Sequence, residues 1–217
     1  MLKPDFITFT GLDQNTDLNR VASLSGRYPI EWAILFSRNR QGIDNRYPTI
    51  DVIEKAFALK EKGDLRLAAH LCGKYAQDIM NGDFTRDTLP LGPFARIQVN
   101  HVNPDPKRLR RIAIDGQPII AQWRDSDSFP TEYEGVQWLY DPSGGRGISP
   151  NAWPRNNGDH IVGYAGGLNA LNVSHINQQV GALSPAGYWL DMETGVRTDD
   201  WFDLNLVERV CAAVYGA

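Results

Sequence analysis

Eight short apolar segments recur along the chain, and each is rich in β-branched or aromatic residues, which is typical of buried strands. They are FITFT (6–10), EWAILF (31–36), LRLAAHL (65–71), FARIQV (94–99), PIIAQW (118–123), VQWLYD (136–141), HIVGYA (160–165) and GYWLD (187–191). Apolar residues spaced about one helical turn apart predict helices between most of them. The stronger helical segments are 15–24, 48–62, 170–180 and 201–214, and the more polar ones are 74–81, 105–111 and 129–134.

A strand–helix unit repeated eight times predicts parallel β–α–β crossovers, and eight units are the number that closes a (β/α)8 barrel. An open doubly wound sheet is the alternative. That fold usually has fewer units and a glycine-rich turn after its first strand, where FTGLDQ offers one glycine. No low-complexity linker divides the chain. We therefore predict an α/β fold with a single (β/α)8 TIM barrel domain over residues 1–217.

The composition narrows the class of protein. The chain has 217 residues, of which 42% are hydrophobic and 22% charged, as in ordinary globular domains. A net charge of −4 argues against non-specific nucleic-acid binding, which needs a basic face. Cys72 and Cys211 are too few for a disulfide scaffold and suit a reducing compartment. Because neither a signal-peptide pattern nor a membrane-length apolar run is visible, we expect a cytoplasmic monomer or homodimer without a membrane partner.

The predicted barrel places its functional residues at the carboxyl ends of the strands, in the loops that follow them. Three consecutive loops of this kind are rich in glycine: Ser143–Gly147, Ala165–Leu168 and Thr194–Gly195. Glycine lets backbone N–H groups approach an anion, and phosphate sites recur after strands seven and eight of this architecture. These loops predict a phosphate site, although tight turns alone would also account for single glycines.

The same loops resemble a known family. The segments LYD (139–141), GGRG (144–147), AGGLN (165–169), NV (172–173) and DMETGV (191–196) resemble, in the same order, those of the phosphoribosylanthranilate isomerases. The resemblance is clear over 136–197 and weaker over 6–40. It implies a (β/α)8 enzyme that opens a phosphorylated aminoaldose and isomerises it to an aminoketose, an Amadori rearrangement, without cofactor or metal.

The resemblance also implies roles for individual residues. Asp141 matches the family's general acid, Asp191 matches its aspartate on strand eight, and Thr10 stands where the family has its general base, a cysteine. The residues that match substrate-binding positions are Arg40, with Arg38 as the alternative, and Gln98. The residues that match the phosphate-binding loops are Gly145, Arg146, Gly147, Gly166, Gly167, Thr194 and Gly195.

Thr10 changes the expected chemistry, because an alcohol is no base unless another group deprotonates it. Loss of a positioned base typically costs about 10²–10⁴-fold in rate. His70 and Cys72, on one face of strand three, could contact the substrate or supply a base, and so could Asp191 opposite Asp141. We therefore predict a divergent isomerase. The alternatives are a non-catalytic barrel that binds a phosphorylated ligand, and a phosphosugar lyase or epimerase using the two aspartates.

Other chemistries have little support in the sequence. A Schiff-base mechanism needs a lysine at a strand end, and only Lys74 is near one. The four histidines are scattered, so no metal site is predicted. Trp153, in a proline-flanked loop, is expected to line the mouth of the barrel.

Overall fold

The computed structural model describes residues 2–63, 65–114, 116–125, 127–131 and 135–216. Eight parallel strands pair with their neighbours in chain order, and β8 pairs with β1 to close the barrel. The strands are β1 (Phe6–Thr10), β2 (Ile30–Phe36), β3 (Leu67–Leu71), β4 (Arg96–Val99), β5 (Ile119–Trp123), β6 (Val136–Tyr140), β7 (Val162–Ala165) and β8 (Tyr188–Met192). All eight predicted strands are confirmed, and so is the single (β/α)8 barrel.

Among the described residues, six α-helices pack around the barrel, near the segments predicted from the apolar spacing. They are α1 (Leu18–Arg27), α2 (Ile50–Glu61), α3 (Lys74–Asn81), α4 (Pro106–Leu109), α5 (Val173–Leu183) and α6 (Leu204–Tyr215). Asp17 and Asp203 cap α1 and α6, because their carboxylates accept hydrogen bonds from backbone N–H groups of the first turn. A two-stranded hairpin of β9 (Arg197–Thr198) and β10 (Trp201–Phe202) precedes α6.

The regular strand–helix alternation fails after β5 and β6, where the described residues form no helix. Of the predicted helix 129–134, residues 129–131 are irregular and 132–134 lie outside the described residues. The segment 142–161 contains three prolines and four glycines, which disfavour a helix. Trp153 of this segment packs between the rings of Tyr140 and Tyr164, at 5.9 and 5.8 Å. The expectation that Trp153 lines the mouth is therefore wrong, because its ring covers the outside of the barrel wall.

The lower half of the barrel interior holds a buried ion pair. Glu31 of β2 is fully buried, and its carboxylate lies 2.6 Å from Nη2 and 2.9 Å from Nε of Arg96 on β4. Arg66 and Thr8 also donate to this carboxylate, at 2.9 and 3.0 Å. Burial alone would raise the pKa of Glu31, but the two arginines bring it below its ordinary value. The guanidinium of Arg96 also stacks 4.3 Å from the ring of Trp189.

Side chains alternate between the interior and the exterior along each strand, so each inward residue of the lower half is followed, two residues later, by one of the upper half. Thr8 is thus followed by Thr10, Arg96 by Gln98 and Trp189 by Asp191. This step brings polar side chains together above the ion pair. They form the floor of the cavity described next.

Candidate functional site

A cavity of about 410 Å3 opens at the carboxyl ends of the strands. Its size lies within the range of small-molecule sites. The predicted site residues that line it are Thr10, Arg40, Cys72, Gln98, Asp141, Gly145, Gly147, Gly166, Gly167, Asp191, Thr194 and Gly195. Two further predicted residues, Arg38 and Arg146, are not part of its lining.

Thr10, His70 and Asp191 form a hydrogen-bonded group on the cavity floor. Thr10 Oγ1 donates to Oδ1 of Asp191 at 2.9 Å and lies 3.5 Å from Nδ1 of His70. Thr10 Oγ1 carries one proton, so when it donates to Asp191 a hydrogen bond with His70 needs the proton on Nδ1 of His70. The second oxygen of Asp191 and Nε2 of His70 face each other at 3.8 Å, and neither has a hydrogen-bond partner among the described residues.

The pKa values of this group follow from its burial. Desolvation raises the pKa of Asp191 to about 8, and the negative charges of Asp141 and Glu193 act in the same direction, against the hydrogen bond from Thr10. Burial lowers the pKa of His70 to about 3. At neutral pH the floor therefore presents a protonated carboxyl next to a neutral imidazole.

Asp141, at the end of β6, is held in a different environment. Its Oδ1 accepts hydrogen bonds from the backbone N–H and hydroxyl of Ser143 and from the N–H of Gly144, at 2.9–3.2 Å. Its Oδ2 accepts from the N–H of Gly145 at 2.8 Å and from Nε2 of Gln122 at 3.3 Å. Both oxygens are acceptors, and together they fix the first turn of the loop after β6.

One wall of the cavity is a chain of amide and thiol groups. Gln98 Nε2 donates to Oδ1 of Asn100 at 2.8 Å, and Asn100 Nδ2 donates to the sulfur of Cys72 at 3.2 Å. Burial raises the pKa of Cys72 to about 11, so the side chain is a thiol at neutral pH rather than a thiolate. Cys72 therefore lines the wall without the character of a strong base.

The glycine-rich loops after β6, β7 and β8 approach one another closely. Gly167 has a φ of +65°, and a Cβ there would overlap the backbone and side chain of Ser149. A Cβ on Gly147, at φ +69°, would lie 3.0 Å from Cβ of Thr194, and one on Gly195 would overlap the carbonyl of Leu168. The three loops meet at one rim of the cavity, and larger residues at these positions would push them apart.

Arg46, in the loop after β2, reaches this rim and was not predicted from the sequence. Its Nη1 lies 2.7 Å from Oε1 of Glu193 and 3.4 Å from Oγ1 of Thr194. Its Nε and Nη2 bind Asp200 at 2.9 and 2.8 Å. The predicted arginines, Arg38 and Arg40, directly follow β2, whereas Arg46 comes several residues later in the same loop.

The remaining predicted arginines lie around the site in different ways. Arg38 pairs with Asp78 of α3 at 3.0 Å and stacks on Tyr75, so its guanidinium is directed towards α3. Arg146 donates to the carbonyl of Ser143 at 2.8 Å. Arg40 does line the cavity, with 61% of its side chain exposed.

The described residues contain neither a metal-binding cluster nor a membrane-spanning helix. Among them, no group of three or more His, Cys, Asp and Glu side chains is arranged to hold a metal ion. In the same part of the chain, no helix has both the length and the apolar character needed to cross a membrane.

Comparisons with known proteins identify the fold. No protein-family model matches the chain, and no curated protein matches its sequence. Among solved structures, phosphoribosylanthranilate isomerase from Thermotoga maritima superposes with a TM-score of 0.65 at 13% identity, covering 100% of both chains. The enzyme from Pyrococcus furiosus superposes with a TM-score of 0.59 at 16% identity, covering 98% of this chain and 99% of the other. That from Thermococcus kodakaraensis gives 0.58 at 18% identity, covering 98% and 100%. The chain therefore shares its fold, over essentially its full length, with phosphoribosylanthranilate isomerases.

Proposed function

We propose that the protein is an isomerase of a phosphorylated sugar-type ligand, which converts an aldose derivative to the corresponding ketose derivative with Asp191 and Asp141 as its carboxyl pair. The observation that carries the proposal is the position of Asp191, which is buried on the floor of a cavity that Asp141 also lines, and this burial raises its pKa to about 8. The shared fold with phosphoribosylanthranilate isomerases supports this class of reaction.

Asp191 has the properties of an acid–base group at neutral pH. With a pKa of about 8, its carboxyl is mostly protonated, and the ionised form is still populated. In an aldose–ketose isomerisation an acid protonates the ring oxygen, and the bond from that oxygen to C1 breaks. A base then removes the proton from C2, the electron pair of that C–H bond forms the C1–C2 double bond, and the electrons of the C1=N or protonated C1=O bond return to that nitrogen or oxygen, which gives an enaminol or enol. Protonation of C1 and loss of the proton of the C2 hydroxyl complete the ketose. Asp191 can donate the first proton and, once ionised, accept the second.

Asp141 supports the same step as a carboxylate. Its two oxygens accept hydrogen bonds from four residues, which are Ser143, Gly144, Gly145 and Gln122. In all of these contacts Asp141 is the hydrogen-bond acceptor. A carboxylate here would stabilise the positive charge that develops at C1 when the ring opens. The resemblance to the family gives the acid to Asp141. The contacts favour Asp191 for that task, because its second oxygen has no hydrogen-bond donor among the described residues.

Thr10 then acts through Asp191 rather than as a base. Its hydroxyl donates to Oδ1 of Asp191 at 2.9 Å, which orients the carboxyl and stabilises its ionised form. In this reading the family's cysteine is replaced by a residue that positions a neighbouring carboxyl, and the proton transfer moves from β1 to β8.

The phosphate of the ligand is assigned to the rim formed by the three glycine loops, with Gly147, Gly167 and Gly195 at their closest approaches. The other half of the ligand would face the wall of Gln98 and Asn100. Both cysteines are free, which supports our assignment of the protein to a reducing, cytoplasmic compartment.

The test is proton exchange and turnover with phosphorylated sugars. Purified protein is incubated in D2O with phosphoribosylanthranilate, and separately with ribose 5-phosphate, and NMR follows ketose formation together with incorporation of deuterium at C1 of the ketose and at C2 of the remaining aldose. We expect exchange by the wild type and a loss of about 10²–10⁴-fold in Asp191→Asn. Asp159→Asn, which removes a fully exposed carboxylate, is the matched control and should keep full activity.

Two results would contradict the proposal. If Asp191→Asn keeps the wild-type rate and only Asp141→Asn is inactive, the acid–base group is Asp141, as in the resembling family. If the wild type binds the ligands without exchange or turnover, the protein is the non-catalytic phosphate-binding barrel, an alternative that Thr10 at the family's base position favours.

A further inference from the structure

Arg46 lies where the loops after β2, β6 and β8 meet. Its Nη1 is 3.4 Å from the hydroxyl of Thr194, and this hydroxyl in turn donates to the carbonyl of Gly145 at 3.4 Å. All three residues line the cavity. A ligand group that touches Thr194 and the glycine loop is therefore within reach of this guanidinium.

The same place already holds a negative charge. Glu193 binds Nη1 of Arg46 through Oε1 at 2.7 Å, and its Oε2 faces the loop after β6, where a Cβ on Gly145 would lie 3.7 Å from it. The two side chains are only 21% and 27% exposed, so solvent screens their charges incompletely. A phosphate group with about two negative charges would be repelled by this carboxylate at close range.

We propose that Arg46 is the cation that binds the ligand's phosphate group, and that Glu193 competes with the phosphate for Nη1 of this arginine. The inference rests on the proposed function only in taking a phosphorylated ligand. It adds an internal competitor to the phosphate site, which would reject ligands whose anionic group binds arginine too weakly to displace a carboxylate.

The guanidinium of Arg46 binds two different carboxylates, one through Nε and Nη2 and the other through Nη1. Asp200 binds Nε and Nη2, the edge of the guanidinium that suits a two-point contact with a carboxylate. This pair keeps the group at the rim when Nη1 changes its partner. The neighbouring Arg197 is held elsewhere, because it binds Asp13 at 3.4 Å and the carbonyl of Asp200 at 2.7 Å. Among the arginines that line the cavity, which also include Arg40 and Arg124, Arg46 is the one bound to Glu193, and its Nη1 can pass from Glu193 to a phosphate.

The test is a double-mutant cycle with inorganic phosphate as the probe. Binding is measured by isothermal titration calorimetry on the wild type, Glu193→Gln, Arg46→Gln and the double variant. We expect Glu193→Gln to bind phosphate about tenfold or more tightly than the wild type, since the competing charge is gone. Removing Arg46 in the Glu193→Gln background should weaken binding about tenfold or more, the change expected for one charge-assisted hydrogen bond.

The double variant decides the question, because it contains no unpaired Glu193 that would disturb the fold. If it binds phosphate as tightly as Glu193→Gln, Arg46 only neutralises the carboxylate and the inference is overturned. Equal affinities of the wild type and Glu193→Gln would also overturn it. Asp159→Asn removes the same charge from a fully exposed side chain outside the cavity lining and should tighten binding less than threefold, which controls for net charge. Lys55→Gln, on the outer face of α2, controls for the loss of a positive charge.

The cycle also separates this inference from the proposed function. Phosphate binding that is indifferent to both residues, combined with normal deuterium exchange, refutes only the role of Arg46 and Glu193. If no variant binds phosphate at millimolar concentration, both the inference and the phosphate half of the proposed function fail.

Discussion

Replacing Asp191 with asparagine should change how the free energy of unfolding depends on pH. In the folded protein this carboxyl has a pKa of about 8 and keeps its proton up to about that pH, whereas the ordinary pKa of an aspartate is 3.8. Between these two values unfolding releases a proton. The free energy of unfolding of the wild type therefore contains a contribution that is complete below pH 3.8 and is lost as the pH rises towards 8.

The magnitude follows from the two pKa values. Each pH unit in this window lowers the contribution by about 1.4 kcal/mol, so its loss between pH 5 and pH 8 is on the order of 4 kcal/mol. Asparagine keeps an oxygen for the hydrogen bond from Thr10 and does not titrate. Asp191→Asn should thus be close to the wild type in stability near pH 4 and several kcal/mol more stable at pH 8, while losing activity.

The measurement is urea unfolding of both proteins at pH 5, 6, 7 and 8, followed by circular dichroism and by tryptophan fluorescence, whose agreement tests for two-state behaviour. Other shifted groups, such as His70 and Glu193, are present in both proteins, so the difference between the two curves isolates Asp191. The fully exposed Asp159→Asn is the control and should run parallel to the wild type. Parallel curves for Asp191→Asn would refute the reasoning, because they would mean that Asp191 is ionised in the folded protein throughout this range.

Three further predictions concern other parts of the structure. Gly167→Ala should lower the free energy of unfolding by about 2 kcal/mol or more, measured by urea unfolding, since φ is +65° and the new Cβ has no space. Arg96→Met should cost about 3–5 kcal/mol, because the fully buried Glu31 loses its buried cation and keeps only Arg66, whose side chain is 44% exposed, and Glu31→Gln in the same background should restore most of it in urea titrations. Thr10→Val should move the titration of Asp191, read from its carboxyl 13C shift, to higher pH, whereas Thr10→Ser should leave it in place.

The barrel was predictable because its signal is repeated. Each strand is buried on both faces and so appears as an apolar run, and eight runs of similar length constrain the topology more than any single one does. The missing helix after β6 was less accessible. Its place is covered by Trp153 between Tyr140 and Tyr164, which are brought together by the pairing of β6 with β7.

The site was predictable in its location and less so in its electrostatics. The carboxyl ends of parallel strands meet at one end of a barrel, so Thr10, Asp141 and Asp191 could be expected to share a cavity. The path of the loop after β2 could not be read from its composition. Arg38 turns to Asp78 and Arg40 lines the cavity, whereas Arg46, which was not predicted, reaches the rim.

The pKa of Asp191 also depends on the buried positive charge of Arg96 and on the side chain that this arginine binds. Arg96 lies below the floor, and its positive charge lowers the pKa of Asp191. This effect is smaller than those of burial, of the hydrogen bond from Thr10 and of the nearby negative charges. The hydrogen bonds of Arg96 go instead to Glu31, one layer further down. Burial is the largest influence on the pKa of Asp191, and we expect the pairing of Arg96 with Glu31 to limit how far this arginine opposes it. The ion pair of Glu31 and Arg96 thereby favours the protonated form of Asp191 in the cavity above it. Removing the negative charge of Glu31 should accordingly leave Arg96 free to lower the pKa of Asp191.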